Sequence, residues 1–502
     1  MTEIGKTAYH QLRAERFVEK SVRFSSPIHR TNLKTFSSLH KTTKEIEEKS
    51  SKKRKERNEM TRAIDVARAR GRTMEELLQY DVSATSYLFD EEGLMTKTTK
   101  SALVQELKAR LNKDDVTTMA KASSRKTAHL VDVMACVRKI KATELKTFGD
   151  NCRNFFEYIF TIAHGTDRLD LVFDSYLEKS VKDSERRRRR TVMAIELHNV
   201  ANDTPLPCEM GRFWGSSNNK LKLQMLLHEQ VLKHKTNRAS VQVIASCFSG
   251  TSVIVSCQSV KDGCLSELPD MNPDVEEADA RIIVHAMHAV KSGTERIVVL
   301  SSDTDVFVLL MHYWQLLHSS GLLELWLRAG VGDTTRYIPV HTLASRVGKD
   351  LCCVLPAVHT LTGCDYTSKI GTKHAAMKAN PVKYLMDFGS AACSMDNVFS
   401  TSEAYLVQVL KNNTKCTTMN QLRSHMYYHN KSISLDKLPP TSHATNEHIR
   451  RAYYATNKMT TLLHTLSAVI DATSFGFEEV DELLMPTRAV KPIPKQLSLI
   501  HI

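Results

Sequence analysis

The stretch Val275–Asp305, VEEADARIIVHAMHAVKSGTERIVVLSSDTD, decides how this chain is read. Glu276, Glu277 and Asp279 open it, ahead of an apolar-rich run with helical spacing that Gly293 ends. Arg296 to Leu300 (RIVVL) is β-branched and apolar, the signature of a buried strand. Asp303 and Asp305 follow at once, in the loop at the strand's carboxyl end, where open α/β sheets place ligands. Acids thus stand at the start of a helix and at the end of the next strand, two places that can face one pocket. Singly, each is ordinary: acids at a helix start complement its dipole, and Asp-x-Asp after a strand often makes a turn. Jointly they differ. At an effective dielectric of ~20, two carboxylates ~4 Å apart repel by about 4 kcal/mol, so a cluster of them calls for cations. Oxygen-only ligands suit Mg²⁺ or Mn²⁺.

Working outward, the same pattern recurs. Upstream, AHLVDVMACV is a short apolar run carrying Asp132, an acid too costly to bury unpaired and therefore expected at a strand's end. LDLVFD is a second strand ending in an acid, Asp174. A basic segment follows it, with consecutive arginines from Arg186 to Arg190, suited to a solvated helix or to phosphate contact. SVQVIASCF and TSVIVSCQSV are β-rich. Downstream, VFVLLMHYW reads as buried strand or helix, and LELWLRAG with TRYIPVH as a strand pair around Gly332–Asp333. LTGCDYTSKIGTKHAAMKA then places Asp365 beyond two short helices. His285 and His288 read as helix-face or core residues in preference to extra metal ligands, and Cys364 as a small buried turn residue in preference to a nucleophile, with no histidine–acid relay beside it.

The 502 residues are 42% apolar and 25% charged, an ordinary globular balance with room for two or three domains. The formal charge of +13 favours polyanions such as DNA or RNA, against the blander reading of a solvated basic face. Eleven cysteines without a C-x-x-C pair point to reduced thiols and argue against a zinc site. No apolar run approaches the roughly 20 residues a membrane span needs, so a soluble intracellular protein without a membrane partner is expected. Lys52–Arg57 (KKRKER) matches a nuclear-localisation cluster as well as it matches a solvated helical face. The expected organisation is a basic polar arm at 1–75, a helical lead-in at 76–126, an α/β domain at 127–380, and a helical region at 381–502 whose last residues fray.

On these motifs the sequence resembles the flap-endonuclease family of 5′-nucleases, within the PIN-like fold. The family's E-A-E-A helix start resembles Glu277-Ala278-Asp279-Ala280, and its strand followed by D-x-D resembles VVLSSDTD. Its strand pair, two helices and G-C-D-Y resemble RYIPVH through Gly363-Cys364-Asp365-Tyr366. Asp132 resembles its first-strand acid. Val172-Phe173-Asp174 with Ser184-Glu185-Arg186-Arg187 resembles its V-F-D and the basic helix after it. The flanks resemble instead those of uncharacterised proteins, apparently of mobile-element ancestry in animals, that carry the same E-E-A-D, D-T-D and T-G-C-D strings.

The resemblance implies a three-layer α/β fold with a mostly parallel sheet and two Mg²⁺ (or Mn²⁺) ions. Asp132, Asp174, Glu277 and Asp279 would hold the first ion, and Asp303, Asp305 and Asp365 the second. Arg186 and Arg187, with Lys369 and Lys373 after the G-C-D-Y string, would contact nucleic acid. The chain departs from the family in carrying Asp279 where Glu is usual, and in a shortened segment after Tyr366. The implied activity is two-metal phosphodiester hydrolysis on DNA or RNA. The alternatives are a PIN-like scaffold that binds nucleic acid or protein without cleaving, and a purely structural accessory protein.

Overall fold

The computed structural model describes residues 3–19, 21, 51, 54–55, 57–81, 86–118, 123–140, 146–174, 194–233, 241–249, 254–261, 264–268, 271, 278–390, 393–430, 433–463, 471–481 and 483–488. Two compact units are found, Met1–Arg62 and Ala63–Ile502. In the first, Glu3–Arg13 is helical and runs into a π-helical turn, Ala14–Val18.

The second unit is built on a sheet. In chain order its strands are β1 Thr127–Asp132, β2 Arg168–Val172, β3 Gln242–Ser249, β4 Ile254–Lys261, β5 Cys264–Glu267, β6 Arg296–Leu300, β7 Glu324–Ala329 and β8 Arg336–Pro339. Their spatial order is β5-β4-β3-β2-β1-β6-β7-β8. The five inner strands, β3-β2-β1-β6-β7, run parallel. Antiparallel β4 and β5 extend one edge, and antiparallel β8 closes the other. The expected α/β architecture with a mostly parallel sheet is thus the observed one. The run VFVLLMHYW, left open between strand and helix, is helical within Thr304–Ser319. At 16 residues that element is longer than an ordinary strand, and length is what separates the two for an all-apolar run.

Period-two alternation divides the strands between two cores. Ala128, Leu130, Ile297, Val299, Leu325 and Leu327 face one side, where the helices Ala278–Lys291, Thr304–Ser319 and Lys349–Leu361 pack. Val131, Leu169, Leu171, Val298, Leu300 and Trp326 face the other, against Phe148–Ile162 and Ser217–Lys233. Both faces are covered, as a parallel sheet requires. The helix Ala278–Lys291 ends in a Schellman motif. Gly293 takes φ +82, its N–H meets Val290 O at 2.9 Å, and Thr294 N–H meets Ala289 O at 3.0 Å. That left-handed turn brings the chain straight into β6.

The lead-in and most of the C-terminal helices extend the first core, while Tyr454, Ala472 and Phe477 gather in a small separate cluster. Leu88, Phe89, Leu103 and Leu107 before the sheet, and Tyr405, Leu406, Leu422, Ile449 and Ala452 after it, belong to the first core cluster. The C-terminal region, read as mostly helical, also contains an antiparallel pair, Phe477–Val480 with Leu483–Pro486. Among the described residues no helix is long and apolar enough to cross a membrane.

Candidate functional site

The chain order of the strands locates the site. From β1 the chain moves to β2 and β3 on one side, then to β6 and β7 on the other. The connections leave β1 in opposite directions, which opens a crevice at its carboxyl end, the switch point where open α/β sheets bind ligands. Asp132 ends β1, Asp174 follows β2, and Asp303 and Asp305 follow β6. Three adjacent parallel strands therefore deliver acids to one edge.

Each acid is fixed by its local backbone. Asp132 caps the helix Val133–Val137, with Oδ1 accepting Ala135 N–H at 2.9 Å. Asp303 caps the helix Thr304–Ser319, with Oδ1 accepting Asp305 N–H at 2.9 Å. Asp174 Oδ1 accepts the N–H of Ala278 at 3.2 Å, tying the end of β2 to the start of the Asp279 helix. One buried hydroxyl joins two strands: Ser301 Oγ donates to Asp132 Oδ2 at 3.2 Å and accepts Asp303 N–H at 3.1 Å. Carboxylate oxygens of Asp279, Asp303 and Asp305 lie within 4.8 Å of one another, a group that can hold a metal ion. The resemblance put Asp279 on a different ion from Asp303 and Asp305. The turn at Gly293 folds the helix back beside β6 and makes them one group.

The electrostatics are uneven. Burial, and then the charges of Asp174 and Asp303, push the Asp132 carboxyl up to about 7. Asp305 and Asp365 are matched instead by a lysine that the sequence motifs do not place in the site. Lys100 Nζ lies 2.8 Å from Asp365 Oδ2 and 3.3 Å from each oxygen of Asp305. Asp305 Oδ1 also accepts from His359 Nε2 at 2.9 Å, and burial followed by the charge of Lys373 holds that imidazole below its ordinary range. Lys100 stands at the N-terminal end of the helix Ser101–Lys108, where the macrodipole disfavours a cation. That misplacement is the one local signal that an anionic partner was needed. Thr96, Lys97, Lys100, Ser302, Asp303 and Asp365 are among the residues lining a cleft of about 370 Å³ at this edge.

Lys373 is corrected. It was expected to meet nucleic acid, but it is 2% exposed. Its Nζ donates to His359 O, Thr362 Oγ1 and Gly363 O at 2.8–2.9 Å. Burial pushes its ammonium down to about 7. It braces the loop carrying Asp365 and cannot reach a polyanion. Lys369, four residues earlier, is exposed, and its backbone N–H donates to Thr96 O at 2.9 Å. His285 and His288 serve the fold: His285 Nδ1 is 2.7 Å from Asp170 Oδ2, and His288 Nδ1 is 2.8 Å from Arg168 Nη1. Glu276, Glu277 and the run Arg186–Arg190, including Arg186 and Arg187, lie outside the described residues. Of Lys52–Arg57, Arg54, Lys55 and Arg57 are described, as exposed helical residues. No family model matches the chain, and no curated protein matches it.

Asp132 offers a test of this electrostatic picture. Its folded pKa, about 7, lies above its ordinary value of 3.8. Its unfavourable ionisation in the fold is therefore absent below pH 4 and develops as pH rises toward 7. Asparagine keeps both hydrogen bonds, since the Ser301 hydroxyl can turn and accept. Asp132→Asn is expected to stabilise the cation-free chain at pH 8 by a few kcal/mol, since each tenfold change in proton affinity is worth about 1.4 kcal/mol. The gain should shrink at pH 5. Urea melts in EDTA at the two pH values measure it, and an unchanged midpoint at pH 8 removes Asp132 from the charged cluster.

Proposed function

We propose that the chain is a divalent-metal-dependent nuclease that hydrolyses phosphodiester bonds in DNA or RNA. The observation that carries the reading is the group formed by Asp279, Asp303 and Asp305, at the switch point beside the carboxyl ends of β1 and β2. The donor set fits the ion: every donor is a carboxylate oxygen, the preference of Mg²⁺ or Mn²⁺. When bound, the ion supplies a water of lowered pKa and charge stabilisation at the reacting phosphate.

The chain's own residues have separable tasks. Asp279, Asp303 and Asp305 hold the ion, and Asp132 and Asp174 add negative charge behind them while anchoring the ends of β1 and β2. Ser301 keeps the β1 and β6 ends in register. Lys97 and Lys100 line the cleft, and Lys139 stands at its edge with Nζ 2.8 Å from Ser302 Oγ. These cations offset the repulsion that a carboxylate cluster exerts on a phosphate backbone, and the net charge of +13 draws the polyanion in. Lys369 is a further contact on the same loop as Asp365. Glu277, Arg186 and Arg187 keep the roles that resemblance to the flap-endonuclease family of the PIN-like fold assigns them.

The test uses the full chain with single- and double-stranded DNA and RNA. Cleavage is expected with Mg²⁺ or Mn²⁺ and none in EDTA. If no substrate is cut and neither ion raises the melting temperature, the nuclease reading fails and a non-cleaving scaffold that binds nucleic acid or protein replaces it.

A further inference from the structure

We propose that the ammonium of Lys100 is the second cation of this cleft. The chain then takes one divalent ion, at Asp279, Asp303 and Asp305, and none between Asp305 and Asp365. The inference rests on the metal reading above and adds what occupies the other half of the site.

Asp305 is shared between the two halves. Its oxygens belong to the group that lies within 4.8 Å, and both are also 3.3 Å from Lys100 Nζ. Asp365 Oδ2 is 2.8 Å from the same nitrogen. A Mg²⁺ ion bridging those two carboxylates would sit roughly 2.0–2.1 Å from its oxygen ligands. An ammonium lying between Asp305 and Asp365 takes up the space and charge of an ion that would bridge them, so the lysine and that second ion exclude each other.

The position of Lys100 is built rather than incidental. Leu103 and Leu107, on the helix that Lys100 precedes, are fully buried in the first core. Just before it, Thr96 O accepts Lys369 N–H at 2.9 Å. Thr98 lies against Gly363: with φ +111, a Cβ on that glycine would come 3.0 Å from Thr98 Cβ and 3.1 Å from Lys369 Cα. Residue 363 is thus held to glycine both by its backbone and by the lead-in pressed against it, and the two segments form one support that carries Lys100 to Asp365. In function, a phosphate oxygen entering this half of the cleft meets a covalently tethered cation. Its attraction is then independent of the divalent-ion concentration, and metal dependence follows saturation of a single site.

The test counts ions on the full chain with Mn²⁺ alone, by equilibrium dialysis and electron paramagnetic resonance. Wild type is expected to bind one Mn²⁺ with an uncoupled spectrum. Lys100→Met should bind two, with the spin coupling of neighbouring ions, and Lys100→Arg should return to one. Should the methionine variant lose its cooperative melt, Lys100→Gln takes its place in the comparison. Two ions on wild type, or one on a folded Lys100→Met or Lys100→Gln, overturns the proposal and leaves the metal reading standing. No ion on wild type or any variant overturns both.

Discussion

Asp303→Asn is expected to leave the fold intact while abolishing the cation response. Asparagine caps a helix about as well as aspartate. The bond from Asp305 N–H to Oδ1 survives, and so does the Ser301 contact, which uses the Asp303 backbone. The lost charge at the helix N-terminus costs about 0.3–1 kcal/mol, and relief of repulsion with Asp132 and its neighbours offsets it. A metal held by this group would lose one of three clustered carboxylates on rigid supports. A ligand set displaced by even ~1 Å can cost ~10²-fold in rate, and removing a charge should cost at least that. The measurements are the melting temperature with and without Mn²⁺, and metal-dependent cleavage. Wild-type stability in EDTA with no Mn²⁺-induced rise is the expected pair of results. A variant that still gains stability from Mn²⁺ and cuts at the wild-type rate would take Asp303 out of the metal site.

Asp170→Ala should be the most damaging substitution for the fold. Asp170 is fully buried in β2, and the Arg168 guanidinium donates to both its oxygens at 2.7 Å. His285 Nδ1 stands 2.7 Å from Oδ2. Truncation leaves a guanidinium that is 3% exposed without its counter-charge, a change that costs roughly 3–5 kcal/mol. The damage reaches the site, because His285 lies on the helix whose first turn carries Asp279. The pH dependence carries a second signature. Burial raises the Asp170 pKa, but the charge and hydrogen bonds of Arg168, then His285, outweigh it and leave the group below 3.8. A depressed carboxylate contributes stability above its unfolded pKa and loses it as pH falls through the folded value. Wild type should therefore weaken on acidification below pH 4, and the alanine variant should show a flatter acid limb in urea titrations. Wild-type-like melting of Asp170→Ala would show that the network is dispensable.

Much of the fold is legible in the chain itself, for a local reason. Strand and helix periods are properties of neighbouring residues, so RIVVL, LDLVFD and the run ending at Gly293 declare their elements within a few positions. Acids placed just after apolar runs also declare themselves, because a carboxylate inside such a run would lose its hydration. Other features depend on which distant segment covers which side chain. Lys369 and Lys373 share one short basic string, yet one is exposed and the other is buried with three oxygen acceptors. Asp170 differs from Asp174 only in standing two residues inside the strand's end, where Arg168 and His285 close over it.

Lys100 is the plainest case. Its partners lie 205 and 265 residues away, and no periodicity links them. The sequence set the kinds of element and delivered the acids to strand ends. Tertiary packing decided which charges were desolvated and which cation met them, because desolvation depends on everything that surrounds a group in space.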